Sequence, residues 1–220
     1  MDIHSVYQLF LRHFRRRRMR AFQRSFQPGE RTTILDVGGT VYNWQLVDAR
    51  SRITLLNLEL PEGFDEFPPN YGFVVGSALE LEFEDGAFDV GFSNSVIEHL
   101  ATRERQEAFA REIRRVGRGL WVQTPARRFP VEPHLLTPFI HYLPRSWQRR
   151  LLRRFTVWGW LTRPSPEAVE GFLREIRLLG YREMQELFPD CEVRRERFLG
   201  LTKAYVAVRP PPPRPLATGA

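Results

Sequence analysis

The chain has one cysteine, Cys191, and one lysine, Lys203, and it lacks any long uncharged apolar run. A single thiol excludes an internal disulfide and any metal site built from cysteines. Nothing approaches the roughly 20 consecutive apolar residues that a membrane-crossing helix needs. The early apolar stretch at residues 6–11 precedes its basic run instead of following it, the wrong order for a secretory leader. The expectation is a cytoplasmic protein.

What is there points to a folded enzyme-sized domain. The 220 residues are 42% hydrophobic and 13% aromatic, too apolar for a disordered chain and enough for one core. Basic residues number 33 against 26 acidic, a net charge of +7. Such a balance suits nucleic acid, an anionic membrane or an acidic substrate without choosing among them.

Residues 1–30 read as a basic amphipathic helix, with Val6, Phe10 and Phe14 at helical spacing beside Arg15, Arg16, Arg17, Arg18 and Arg20. Such a helix either caps the domain or lies on an anionic membrane. A domain then spans 31–208. Short runs rich in Val, Ile, Leu and Phe at 33–37, 53–58, 72–75, 90–92 and 120–124 read as strands buried on both faces. Helical periodicity over 102–116 ends at Gly117 and Gly119. This alternation predicts a parallel sheet with helical crossovers. Residues 125–164, broken by six prolines, read as an insertion or lid after the fifth strand. Ser165-Pro166-Glu167 starts a helix that buries Val169, Phe172, Leu173, Ile176 and Leu179 and stops at Gly180. Residues 192–197 and 202–208 read as closing strands, and the proline-rich tail 209–220 as extended and disordered.

The strongest motif is Ile34-Leu35-Asp36-Val37-Gly38-Gly39-Thr40, an apolar strand ending in a carboxylate and a two-glycine turn. Glycine there lets backbone approach a ligand, and in open parallel sheets ligands sit beyond the carboxyl ends of strands. The lysine of a phosphate-gripping loop and the spaced glycines of a dinucleotide site are absent. The second strand ends in Asn57-Leu58-Glu59 about 20 residues on, where a ribose-binding side chain is expected.

In order along the chain, Leu35-Asp36-Val37-Gly38-Gly39, Gly76-Ser77-Ala78, Phe88-Asp89-Val90, Ser93-Asn94-Ser95-Val96-Ile97-Glu98-His99 and Arg111-Glu112-Ile113-Arg114-Arg115-Val116 resemble class I S-adenosylmethionine-dependent methyltransferases. The likeness is to the broad bacterial branch acting on small molecules and covers roughly 32–124. It implies an α/β, Rossmann-like, seven-stranded mostly parallel sheet flanked by helices, with an antiparallel C-terminal strand. It also implies S-adenosylmethionine as cofactor, with Asp36, Gly38 and Gly39 bordering its methionine part. Asn57 would meet the ribose, Leu58, Ser77 and Ala78 the adenine, and Asn94 would lie close to the transferred methyl. The sequence departs from the family at three places: Asn57 stands where an acid is usual, Ser77 where aspartate is frequent, and Thr40-Val41 where another glycine often falls.

The sulfonium of that cofactor makes its methyl electrophilic, so the protein's task is alignment, with a general base where the nucleophile is a hydroxyl. The candidates are His99, His134 and Glu132, the last two stiffened by Pro130 and Pro133. The helical Glu-x-x-His spacing of zinc sites is missing, and no metal is expected. Aromatics mixed with arginines in the insertion suit a lipid-linked, glycan or acidic small-molecule acceptor, and peripheral contact with an anionic membrane. An RNA methyltransferase is a rival, though no appended RNA-binding module is visible. A methyltransferase-like scaffold without turnover is the other.

Overall fold

The computed structural model describes residues 3–60 and 67–212, with side chains from residue 12 onward. Seven strands form one sheet: β1 (Thr33–Val37), β2 (Arg52–Asn57), β3 (Tyr71–Val75), β4 (Phe88–Asn94), β5 (Gly117–Pro125), β8 (Glu192–Phe198) and β9 (Leu201–Arg209). Their order is β3-β2-β1-β4-β5-β9-β8, a mostly parallel sheet with one antiparallel strand, and a separate pair joins β6 (Val131–Glu132) to β7 (Thr137–Pro138). The helices are α1 (Ile3–Phe26), α2 (Val41–Trp44), α3 (Arg103–Val116), α4 (Arg145–Phe155), α5 (Val157–Thr162), α6 (Pro166–Glu175) and α7 (Tyr181–Leu187). None of the described helices is long and apolar enough to cross a membrane.

The contacts divide the chain into two units. The first comprises 1–94, 108–122 and 208–220. In it β1 runs parallel to β2 and to β4, and β2 parallel to β3. Ile34, Leu35, Val37, Ile53, Leu55, Val90 and Phe92 are buried, as strands covered on both faces require. Only the four-residue α2 crosses from β1 to β2, too little to cover that face. Helix α1 supplies the cover. Its Met19 and Phe22 are fully buried, and the Phe22 ring lies 5.8 Å from Trp44, 5.1 Å from Phe92 and 5.7 Å from Trp121. Between the two expected roles of this helix, its C-terminal half caps the domain; the side chains of Val6 and Phe10 lie outside the described residues. The tail is shorter than expected. Arg209 belongs to β9 and donates to the carbonyls of Arg114 and Gly117, and residues 213–220 lie outside the description.

The second unit comprises 95–107 and 123–207. Leu135, Ile140, Leu152, Val169 and Leu173 form its apolar cluster, with Trp158 and Phe172 stacked at its margin. Ser165 caps α6 by accepting from the Ala168 N–H, as its position before Pro166 suggests. The helix then stops at Glu175 rather than running to Gly180. The reason is competition for the backbone: Arg177 N–H donates to the Glu98 carbonyl, and Arg127 N–H donates to Leu179. Leu178 and Leu179 are still buried, but in extended chain. Gly180 opens α7, and the Glu183 carboxylate accepts its N–H.

Candidate active site

At the end of β1 the carboxylate of Asp36 is fully buried. Its Oδ2 accepts from Trp44 Nε1 at 2.8 Å, while Oδ1 has no partner among the described residues. Burial pushes its pKa up to about 7, against the Trp44 hydrogen bond, which lowers it. Gly38 has φ +71°, the left-handed region, and its N–H donates to Leu56. Gly39 is needed for another reason: a Cβ there would lie 1.9 Å from the Asp36 carboxylate. The turn and the acid therefore occupy one volume, and only glycine lets them share it.

Asn57, at the end of β2, donates from Nδ2 to the Gly39 carbonyl at 2.6 Å. A carboxylate has no proton to give there, which accounts for the amide where the family carries an acid. Leu58, just past the end of β2, and Val75, closing β3, are 76% and 59% exposed, a pair of bare apolar side chains. Ser77 spends its hydroxyl on the turn, accepting from the Leu79 N–H, and Ala78 is half-buried beside it. At the end of β4, Asn94 accepts from the guanidinium of Arg18 and donates to Asn43 Oδ1 at 3.3 Å. The Arg18 side chain is buried. Neither Arg18 nor Trp44 is marked by the sequence, because each reaches the site from a helix whose docking no local motif records.

In the second unit the candidate histidines come together. Past β4 the chain makes a 3-10 turn at Ile97–His99, held by Gln106, whose buried amide donates to Ile97 and Arg177 carbonyls. The rings of His99 and His134 stand 4.9 Å apart and perpendicular. His134 Nδ1 lies 2.7 Å from Glu132, and that carboxylate also accepts the Leu135 N–H. His99 Nδ1 lies 2.8 Å from Glu175. Burial disfavours the charged form of His134, but the Glu132 hydrogen bond and the charges of Glu132, Glu98 and Glu175 outweigh it and raise the pKa. Glu98, noticed in the sequence only as a neighbour of His99, is fully buried, and burial raises its pKa. A cavity of about 410 Å³ in this unit is lined by Arg127, Glu132, Leu135, Arg145, Phe172 and Arg177, among others.

A sheet of this order with a glycine turn after its first strand defines the Rossmann-like methyltransferase fold. Residues 35–119 match the family model of the methyltransferase domain, the family in which the sequence resemblance implies S-adenosylmethionine as cofactor. A candidate methyltransferase of Encephalitozoon cuniculi is 51% identical over 45 residues, 20% of this chain and 21% of that protein. The chain thus spans about a fifth of that curated relative. Among solved structures, a possible exported protein of Bordetella parapertussis superposes with TM-score 0.57 at 16% identity, covering 87% of this chain and 65% of its own. The 1,6-didemethyltoxoflavin N1-methyltransferase of Burkholderia thailandensis, solved with bound 1,6-didemethyltoxoflavin and S-adenosylhomocysteine, gives TM-score 0.54 at 14% identity, covering 93% of this chain and 81% of its own. At these identities the structures speak for the fold alone.

The residues present fit the cofactor. A bound cation would compensate the Asp36 carboxylate with its unpartnered oxygen, the glycine turn gives close backbone approach, and Leu58 and Val75 offer apolar surface to a base.

Proposed function

We propose that the chain transfers the methyl group of S-adenosylmethionine by direct in-line displacement to a small acceptor carrying an anionic group, free or lipid-linked. The observation that carries this is the Asp36–Gly38–Gly39 turn inside the matched domain. When bound, the cofactor supplies an electrophilic methyl, so no covalent enzyme intermediate is needed. Asp36, Gly38 and Gly39 hold its methionine end, with the buried guanidinium of Arg18 as countercharge for its carboxylate. Asn57 meets the ribose with its amide oxygen, and Leu58 and Val75 take the adenine. The cavity of the second unit, lined by three arginines against one glutamate, favours an anion. The histidine cluster with Glu132 handles the proton that a hydroxyl acceptor must lose.

Isothermal titration tests the first part. S-adenosylmethionine should bind the native chain, and Gly38→Val should abolish binding with an unchanged circular dichroism spectrum. A native chain that binds none, or a variant that binds equally, removes the assignment. Release of S-adenosylhomocysteine with anionic but not neutral acceptors supports the second part, and the reverse preference refutes it.

The exposed Trp147, Phe155 and Trp160 on α4 and α5, interleaved with Arg145, Arg149, Arg150, Arg153 and Arg154, support a cytoplasmic enzyme resting on an anionic membrane. Co-sedimentation with phosphatidylglycerol vesicles at low salt, weakened by Trp160→Ser, is the expected result. No sedimentation with those vesicles excludes it.

A further inference from the structure

We propose that Glu98, His99 and His134 bind one divalent transition-metal ion of the zinc class. One candidate ligand atom from each residue lies within 4.8 Å of the others. Zinc bonds to imidazole nitrogen and carboxylate oxygen are about 2.0–2.2 Å long, so a small closing movement of two partly exposed rings completes the set. The expectation that no metal binds rested on the absence of Glu-x-x-His spacing. Here the ligands come from the 3-10 turn after β4 and from the segment after β6, which no local pattern reports.

Three independent features point to a ligand rather than to packing. Glu98 is fully buried; its Oε2 accepts from Thr124 Oγ1 at 3.0 Å, while Oε1 has no hydrogen-bond partner among the described residues. A buried carboxylate with a bare oxygen is costly unless a charge compensates it. Secondly, both histidines have Nδ1 held by a carboxylate, Glu132 for His134 and Glu175 for His99. That arrangement keeps the proton on Nδ1 and leaves the Nε2 lone pair for a metal, the carboxylate–histidine–metal pattern of zinc sites. Thirdly, the side chains of His99 and His134 keep 35% and 23% of their surface, so a coordination position stays open to water or to an acceptor oxygen. Two imidazoles and one carboxylate select zinc-like ions over magnesium or calcium, which prefer all-oxygen shells. An ion there polarises a bound hydroxyl and lowers its pKa, and because both imidazoles are then ligands the proton leaves to water. This replaces the direct proton role proposed above for the histidines and rests on that reading. Metal binding itself does not depend on methyl transfer and is read separately from it.

The test uses the full chain, stripped with EDTA, dialysed and titrated with zinc chloride by calorimetry with a competing chelator. One ion per chain with Kd at or below about 1 μM is expected, and no comparable binding of magnesium chloride. Glu98→Gln and His134→Asn should each weaken zinc at least tenfold, and Glu132→Gln, which keeps an oxygen for the Leu135 N–H but takes the charge from behind His134, about 10–100-fold. Cys191→Ser and His141→Asn should leave zinc affinity unchanged. Should Glu98→Gln fail to fold, His99→Asn, at a partly exposed position, gives the same readout. Zinc binding weaker than about 100 μM, or binding indifferent to Glu98, His99 and His134, overturns the proposal. Zinc binding without S-adenosylmethionine binding leaves it standing while the methyl-transfer reading falls.

Discussion

Replacing Asp36 by asparagine isolates the cost of a charge under the glycine turn. In the fold the acid titrates at about 7, against 3.8 for a free carboxyl. Because the folded-state value is raised, the folded chain keeps a proton that the unfolded chain releases. Stability from this group is therefore full below about pH 4, falls as pH rises towards 7, and stays at its minimum above. Three pH units at 1.36 kcal/mol each amount to about 4 kcal/mol, to within a unit's uncertainty in the shift. Asparagine keeps a carbonyl to accept from Trp44 Nε1 and cannot ionise. Its amide nitrogen in place of the unpartnered Oδ1 adds an unsatisfied donor, worth about 1–3 kcal/mol, but that penalty is independent of pH. The measurable quantity is the difference in unfolding free energy between D36N and the native chain, from urea titrations without ligand at pH 5 and pH 8.5. Other titrating groups are common to both proteins and cancel. The difference should move in favour of D36N by a few kcal/mol between the two pH values. Parallel pH dependences would refute the buried, proton-holding carboxylate.

Three further outcomes follow from the packing. Gly39→Ala places a methyl on the Asp36 carboxylate and should cost about 1–3 kcal/mol in urea unfolding, with less of that cost when Asp36→Gly is also present; full additivity would separate the two residues. Phe22→Ala removes the ring shared by Trp44, Phe92 and Trp121 and should cost about 3–5 kcal/mol; a loss under 1 kcal/mol would mean that α1 does not cover the sheet in solution. Gln106→Leu strips the buried amide from the Ile97 and Arg177 carbonyls and should cost about 1–3 kcal/mol for each carbonyl left bare, with faster amide exchange at 97–99. Unchanged exchange there would show that the turn is held by other groups.

β1 and β4 of the first unit were legible because their buried residues leave a strong apolar signature, and the boundaries of β1 in the sequence and the structure coincide. β3, expected to be buried on both faces, is the edge strand and has no buried residue. The end of α6 was not legible: Ile176 and Leu179 keep a helical spacing, but the backbone at Arg177 bonds to Glu98, a tertiary partner that periodicity cannot contain. The site divides in the same way. Gly38 and Gly39 were found by type and position, since positive φ and close approach belong to glycine itself. The meaning of Asn57 was not, because the departure from the family looks like a weakened ribose contact when read along the chain. In three dimensions it is a donor to the Gly39 carbonyl, and the same Gly39 makes room for Asp36. Acid, glycine and amide thus form one interlocked unit: the acid occupies the space where a side chain at 39 would sit, and the amide fixes the carbonyl above it. A substitution at any of the three changes the demand on the other two. The altered residues of this motif are then best understood as a consistent alternative to the usual acid-bearing turn, with its cost in the buried charge of Asp36.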